Sequence, residues 1–159
     1  KVDKKKDEWT LHDFSVPFAS EVFVTLKNVP PVKNQEQSSV YMKLGSGLRY
    51  IGGIWHVNDI DFRTRFPGHF TIKTDSKGPV IKPIRKKRDR IQFKISDYPS
   101  GIQRFDCYVS DQWTVMYYDY KRSLIWSEKI DPQAPFMGEL LLKVTDNTGN
   151  VSTYKSFIK

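Results

Sequence analysis

Hydrophobic and polar residues alternate with a period of two along most of this chain. One run places Val22, Val24 and Leu26 on a single face, and another run does the same with Ile91 and Phe93. Successive side chains of a β-strand point to opposite faces, so this period predicts strands that are buried on one side. No segment sustains a hydrophobic stripe of helical period, and the pattern therefore predicts an all-β fold.

Turn-forming residues divide the alternating runs into short segments. Turn signals recur about every 8–12 residues, a spacing typical of β-sandwiches. The polar stretch 75–79, which contains Gly and Pro, is the best candidate linker because such residues bury little. We therefore predict two tandem immunoglobulin-like antiparallel β-sandwiches, over residues 9–76 and 77–159, after a charged, solvated tail over residues 1–8. A single larger sandwich is the structural alternative.

Two local patterns make narrower predictions. Glycine adopts positive φ angles without steric cost, so the Gly52-Gly53 pair predicts a tight hairpin turn between the strands on either side. Pro83 has no backbone N–H to give to a sheet, so the strand that contains it is predicted at an edge.

Composition narrows the class of protein. Of the 159 residues, 38% are hydrophobic and 28% are charged, which argues against wholesale disorder. The apolar runs are much shorter than the roughly 20 residues that cross a bilayer, and a start at Lys1 without a signal peptide suggests a processed or truncated piece. The single Cys107 excludes an internal disulfide, and its place on an apolar strand face favours a buried, unreactive thiol.

The net charge of +8 is unevenly distributed. Residues 1–76 carry 11 basic and 9 acidic groups, whereas residues 77–159 carry 15 basic and 9 acidic groups. A dense basic run in the second half can bind phosphate, an anionic wall polymer or anionic lipid, although a solvated loop between two strands is the favoured interpretation. No aromatic residue interrupts the run, so stacking on nucleic-acid bases is not expected there. The candidate contacts to an anionic polymer are Arg85, Lys86, Lys87, Arg88 and Arg90.

Aromatic residues are concentrated further along the second half. The segment 113–118 is predicted to form one strand, in which Trp113 and Tyr117 point to one face and Tyr118 to the other. A small sandwich cannot bury both faces, so one aromatic set contacts either a ligand such as a sugar ring or the neighbouring domain, and both interpretations remain open. The candidate contacts are Trp113, Tyr117, Tyr118, Tyr120, Trp126 and Arg122.

Several motifs occur in an order that is typical of one protein family. They are YIGGIW (50–55), TRFPGHF (64–70), GPVIKPI (78–84), SD (96–97), SGI (100–102), Trp113, YDY (118–120) and VTDNTGN (144–150). In this combination they resemble the C-terminal immunoglobulin-like accessory region of lysostaphin-like zinc metallopeptidases of Gram-negative bacterial envelopes. The resemblance covers nearly everything from about Trp9 onward.

The resemblance implies an accessory role and no catalytic one. Those peptidases cleave peptidoglycan cross-bridges with zinc held by His-x-x-x-Asp and His-x-His motifs, and neither motif occurs in this sequence. His12, His56 and His69 have no acidic residue or second histidine at the spacing of the family's zinc ligands. The family therefore implies a non-catalytic module, without metal or other cofactor, that positions or regulates a hydrolase domain outside this chain. It also implies an extracytoplasmic location, either in the periplasm or at the outer membrane and cell surface.

Motifs for other chemistries have simpler interpretations. Gly45-Ser46-Gly47 fits a turn better than a nucleophile, and Asp59 and Asp61 fit surface acids better than an acid–base pair. The turn over residues 146–150 offers several oxygen atoms to a calcium ion, but its spacing departs from that of an EF-hand loop. A β-turn held by Asp and Asn side chains is the favoured prediction for it.

The sequence thus favours a binding module over an enzyme. Its expected partner is the catalytic domain of the same polypeptide or another envelope protein, with peptidoglycan or another glycan as a further partner. The alternative is a free-standing extracytoplasmic module that binds carbohydrate or cell wall through exposed aromatic side chains. Neither specific nucleic-acid binding nor a transmembrane segment is expected.

Overall fold

The computed structural model of the chain describes residues 2–5, 8–11, 17–129, 131 and 133–159. His12 lies outside these residues. The described residues form strands and contain no helix, so none of them belongs to a helix long and apolar enough to span a membrane. The chain divides into two compact units, Lys1–Ser76 and Lys77–Lys159.

The first unit is a sandwich of two antiparallel sheets. The order β1-β2-β8-β4-β5 forms the larger sheet, and β3-β7-β6 forms the smaller one. Sequence neighbours β5 and β6 lie in different sheets, while β2 pairs with β8 and β3 pairs with β7. The strands are β1 (Val2–Lys5), β2 (Glu8–Leu11), β3 (Val22–Leu26), β4 (Ser38–Leu44), β5 (Gly47–Gly52), β6 (Ile54–His56), β7 (Asp59–Thr64) and β8 (Gly68–Thr74).

Alternate residues of both sheets meet in the core of the first unit. The Phe62 ring from β7 packs against the Phe70 ring from β8, with 5.0 Å between centroids. Val24 and Leu26 are buried with them, as the period of two along β3 predicts. Burial of these side chains supplies most of the free energy that holds the two sheets together.

Part of the segment predicted as a solvated tail, residues 1–8, forms a strand. Val2–Lys5 forms β1, which pairs antiparallel with β2 so that Val2 lies opposite Leu11. β1 is an edge strand, with β2 as its neighbour in the sheet order. Strand pairing is made by backbone hydrogen bonds that residues of any composition can supply, so the charged composition of this segment did not reveal the strand.

The predicted hairpin at Gly52-Gly53 is wrong. β5 pairs with β4, and β6 pairs with β7, so the glycine pair carries the chain from one sheet to the other. Both glycines have positive φ angles, 89° and 145°. A Cβ atom on Gly53 would lie 2.7 Å from Cδ1 of the buried Ile60. The pair is therefore a crossing point whose second residue must be glycine.

The second unit has the strand order of an immunoglobulin domain. One sheet is β13-β14-β10-β9 and the other is β12-β11-β15-β16. These match the ABED and CFG sheets of that fold, with β12 added beside the C strand. The strands are β9 (Val80–Lys86), β10 (Arg90–Ser96), β11 (Ile102–Val109), β12 (Gln112–Thr114), β13 (Tyr117–Asp119), β14 (Leu124–Glu128), β15 (Gly138–Asp146) and β16 (Val151–Ile158).

The core of the second unit follows the same alternation. Phe93 from β10, Ile125 from β14 and Leu142 from β15 are each fully buried. The predicted edge position of Pro83 is confirmed, because β9 lies at the end of its sheet and the register shifts by a bulge next to the Pro83–Phe93 pair. The predicted fold class is also confirmed: the chain is all-β and consists of two antiparallel sandwiches in tandem.

The segment 113–118 is not one strand, contrary to the prediction. Trp113 lies on β12, which pairs with β11, whereas Tyr117 and Tyr118 lie on β13, which pairs with β14. The chain changes sheets at residues 115–116, where the Met116 side chain packs against the core. Period-two alternation looks the same whether a run stays in one sheet or changes sheets, so the pattern could not show this break.

Gly53→Ala is expected to destabilise the protein more than Gly45→Ala. Both replacements place alanine at positive φ, which costs about 1–2 kcal/mol. Among the described residues, a methyl group on Gly45 would meet no atom within 4 Å beyond its chain neighbours, whereas one on Gly53 would overlap Ile60. Overpacking adds about 1–3 kcal/mol at Gly53. Urea unfolding followed by tryptophan fluorescence measures the difference, and equal losses for the two variants would contradict the assigned crossing.

Candidate functional site

The outer face of the sheet β13-β14-β10-β9 brings together residues from both predicted sets. Tyr117 lies opposite Trp126, Trp126 opposite Gln92, and Gln92 opposite Arg85. Their neighbours Ile91, Phe93 and Ile125 are buried, so the strand alternation points this row away from the core. The row therefore places two aromatic rings, an amide and a guanidinium side by side; we call this surface the outer face.

Tyr117 and Trp126 form a cross-strand aromatic pair. Their ring centroids are 5.6 Å apart, with 29° between the ring planes. The Tyr117 side chain is 58% exposed and Trp126 is half-buried. Such a pair stabilises the short edge strand β13, and it also fixes the orientation of two rings that face solvent.

Ion pairs neutralise one end of the outer face. Arg90 Nη1 lies 3.1 Å from Glu128 Oε1, and these two residues are opposite each other on β10 and β14. Arg85 Nη2 lies 2.5 Å from Asp89 Oδ2. These pairs are exposed, so they add little stability, but they offset the positive charge of both arginines.

The basic run does not form a single patch. Lys86 turns to the other side of β9, where Nζ donates to Tyr154 Oη at 2.7 Å and to Ser156 Oγ at 3.1 Å. Arg88 Nη2 donates to Met137 Sδ at 3.2 Å. Lys87 is exposed in the turn between β9 and β10. The residues are adjacent in sequence, but alternation along β9 separates their side chains.

A second surface lies where this basic turn meets β16. Lys86, Lys87 and Arg88 line a groove of about 530 Å³ together with Phe157 and Lys159. Phe157 and Lys159 were missed from the sequence because they lie some 70 positions further along the chain. The alternation in β16, where Tyr154 packs against the core, was the available signal that Phe157 faces outward.

The remaining aromatic candidates lie on other surfaces. Tyr118 turns toward the opposite sheet, where its ring contacts Phe105 at 5.4 Å, and burial raises its pKa. Trp113 belongs to the sheet that does not carry the outer face, where it lies opposite Tyr108. It also lines a cavity of about 360 Å³.

The turn between β13 and β14 holds the last two candidates. Tyr120 is exposed there, and its carbonyl accepts a hydrogen bond from Ser123 N at 3.2 Å. The exposed Arg122 donates its backbone N–H to Asp119 Oδ1 at 3.2 Å. The structure therefore joins Tyr117 and Trp126 and leaves the other aromatic candidates apart from that pair.

The turn over residues 146–150 is held by its own side chains, as predicted. Asp146 is buried, and its Oδ1 accepts hydrogen bonds from Thr148 N at 2.8 Å and Asn150 N at 2.9 Å. Its Oδ2 accepts from Asn150 Nδ2 at 2.8 Å. Asn147 Nδ2 donates to the Ser100 carbonyl at 2.8 Å and so ties this turn to a neighbouring loop. Buried polar groups require such partners, and these hydrogen bonds supply them for the Asp146 carboxylate.

The polar candidates of the first unit have structural contacts. His56 Nε2 lies 3.1 Å from Asp61 Oδ2, and Thr25 Oγ1 donates to Asp61 Oδ1 at 2.7 Å. Asn28 N donates to Asp59 Oδ1 at 2.9 Å. The two carboxylates therefore bind neighbouring turn and strand residues. This agrees with their interpretation as surface acids.

The comparisons give no family assignment. No protein-family model and no curated protein matches this sequence. Among solved structures, the chain is similar to the crystal structure of an apo expansin from Clavibacter michiganensis, with a TM-score of 0.39 and 13% identity over 76% of this chain and 67% of that chain. A likeness at this level carries no information about what the chain binds.

Cys107 is expected to be unreactive in the folded protein. The side chain is 1% exposed, and burial raises the pKa of the thiol from 9.0 to about 12. Because the thiolate is the reactive species, Ellman's reagent should label Cys107 only after denaturation. Rapid labelling of the folded chain at pH 8 would contradict this.

The same pKa shift predicts an alkaline loss of stability. Between pH 9 and about 12 the unfolded thiol is ionised while the folded thiol keeps its proton, so the unfolded state binds fewer protons. Stability therefore falls as the pH rises through this window. Tyrosines and lysines also titrate there, so the measurement compares urea unfolding of the native chain with that of Cys107→Val. The variant should lose less stability over this range.

Proposed function

We propose that this chain is a non-catalytic binding module of a bacterial cell-envelope protein and that it binds cell-wall polysaccharide through the outer face. It acts outside the cytoplasm. The finer proposal is that it positions or regulates a peptidoglycan hydrolase domain lying outside this chain. The resemblance of the order of motifs to the accessory region of lysostaphin-like zinc peptidases supports this finer role.

The observation that carries the proposal is the outward-facing pair of Tyr117 and the half-buried Trp126, in direct register with Gln92 and Arg85. The C–H groups on one side of a sugar ring form an apolar surface, which an aromatic ring can cover. The amide of Gln92 and the guanidinium of Arg85 supply hydrogen-bond partners for hydroxyl groups beside that ring. A row of this composition therefore suits a polymer that is apolar on its ring faces and polar at its ring edges.

The proposal predicts that Tyr117→Ala weakens binding to insoluble peptidoglycan sacculi by about fivefold or more, because an aromatic contact contributes about 1 kcal/mol beyond the burial of its area. The matched control is Trp113→Ala, since Trp113 is 62% exposed but lies on the other sheet. A sedimentation assay with purified sacculi measures the bound fraction, and circular dichroism checks the fold of each variant. Undetectable binding by the native chain would refute the wall-binding role.

The relative effects of the two variants also distinguish two interpretations of the ring pair. If Tyr117 only stabilises β13, Tyr117→Ala should lower the free energy of unfolding and leave binding by the folded fraction unchanged. If Trp113→Ala alone weakens binding, the binding surface lies on the other sheet. In either case the outer face is not the binding site.

The association with a hydrolase makes a prediction at the level of the gene. The reading frame upstream of Lys1 is expected to encode a domain with His-x-x-x-Asp and His-x-His motifs, which hold the catalytic zinc in the peptidases that this chain resembles. Sequencing the source gene tests this. A signal peptide directly before Lys1 would instead favour the alternative, a free-standing wall- or carbohydrate-binding protein.

A further inference from the structure

We propose that the polysaccharide bound on the outer face is acidic, and that Lys82 and Lys94 bind its carboxylate groups beside Tyr117 and Trp126. This inference rests on the proposed function and names the chemical class of its ligand. It derives from the charged row that adjoins the aromatic row on the same sheet.

Lys82 and Lys94 are opposite each other on neighbouring strands of the outer face. Lys94 lies between the buried residues Phe93 and Ile95, so its side chain points outward. Ile81 packs against the core, and the next residue, Lys82, therefore points outward as well. Residues directly opposite on antiparallel strands have Cβ atoms about 4.5–5.5 Å apart, so the two ammonium groups belong to one local site.

The charges of these two lysines are not offset by neighbouring acids. Within the part of the chain that the structure describes, neither side chain has an ion pair or a side-chain hydrogen bond. Like charges directly opposite each other destabilise a sheet. The two arginines of the outer face, by contrast, lie in ion pairs with Asp89 and Glu128. Among the described residues whose side chains form the outer face, the basic side chains without an ion pair are therefore Lys82 and Lys94.

The distance between the aromatic row and the charged row is one that a single ligand can span. Lys94 is two residues from Gln92, and its other neighbour across the sheet, Leu124, is two residues from Trp126. Two residues along a strand span about 6.6 Å, a distance comparable with one monosaccharide unit. A sugar ring on Tyr117 and Trp126 thus places the acidic group of an adjacent unit near the lysines.

The arrangement favours a carboxylated glycan over nucleic acid. Binding of a single nucleic-acid strand uses a continuous cationic groove along its phosphates, and the ion pairs of Arg85 and Arg90 interrupt such a groove here. Asp119, at the far edge of the face, lies opposite Leu124 and is separated from Lys94 by β14.

The experiment compares binding of the full chain to polygalacturonate and to the same polymer after reduction of its carboxyl groups. Affinity electrophoresis measures both at low and high salt. We expect tighter binding of the acidic polymer, a loss of this preference at high salt, and about tenfold weaker binding by the Lys82→Gln/Lys94→Gln variant. The control is Lys143→Gln/Lys155→Gln, which removes the same charge from the outer side of the other sheet and should bind normally.

Equal binding of both polymers, or normal binding by Lys82→Gln/Lys94→Gln, would overturn the inference. The proposed function would still stand if sacculi were bound and Tyr117→Ala weakened that binding. Tighter binding of a thymidine oligonucleotide than of polygalacturonate would also overturn the inference, in favour of a nucleic-acid ligand. Failure of the native chain to bind sacculi removes the proposed function, whatever the result with polygalacturonate.

Discussion

The burial of alternate side chains between two facing sheets is the constraint on which the rest of the second unit depends. Phe93 and Ile125 are fully buried on adjacent strands, and they fix which way every other residue of β10 and β14 points. A slip of one residue in either strand would move the whole apolar set to the solvent side. The outer face is therefore positioned by the core, because Trp126 and Lys94 are the outward neighbours of those buried residues.

The same constraint explains why a dense basic run does not produce a dense basic surface. Residues adjacent along β9 point to opposite sides, so Lys86 binds Tyr154 and Ser156 while Arg85 faces the other way and pairs with Asp89. Positive charge is also placed on an edge strand, where it opposes pairing with another chain. Within the described part of the chain, Lys82 and Lys94 have no ion pair, whereas Arg85 and Arg90 do. One end of the outer face therefore carries more net positive charge than the other.

Predictability varied with the range of the interactions involved. The strands around Val24 and Phe93, the edge position of Pro83 and the side-chain-stabilised turn at Asp146 were all predictable, because each depends on local alternation, a missing donor or short-range hydrogen bonds. The failures share one cause. β1, the crossing at Gly53 and the break between Trp113 and Tyr117 depend on which distant strand each segment pairs with, and neighbouring residues do not encode that choice.

The sequence by itself determined the all-β class, the inward residues of most strands, the absence of zinc-peptidase motifs and the residue types available for binding. Only the tertiary structure decided which of those residues meet. Arg85 and Gln92 join Tyr117 and Trp126 because β9, β10, β14 and β13 align in one register, whereas Trp113 is assigned to the other sheet. The physical reason is that strand pairing is satisfied by backbone hydrogen bonds common to all residues, so its partners are selected by the packing of the whole domain.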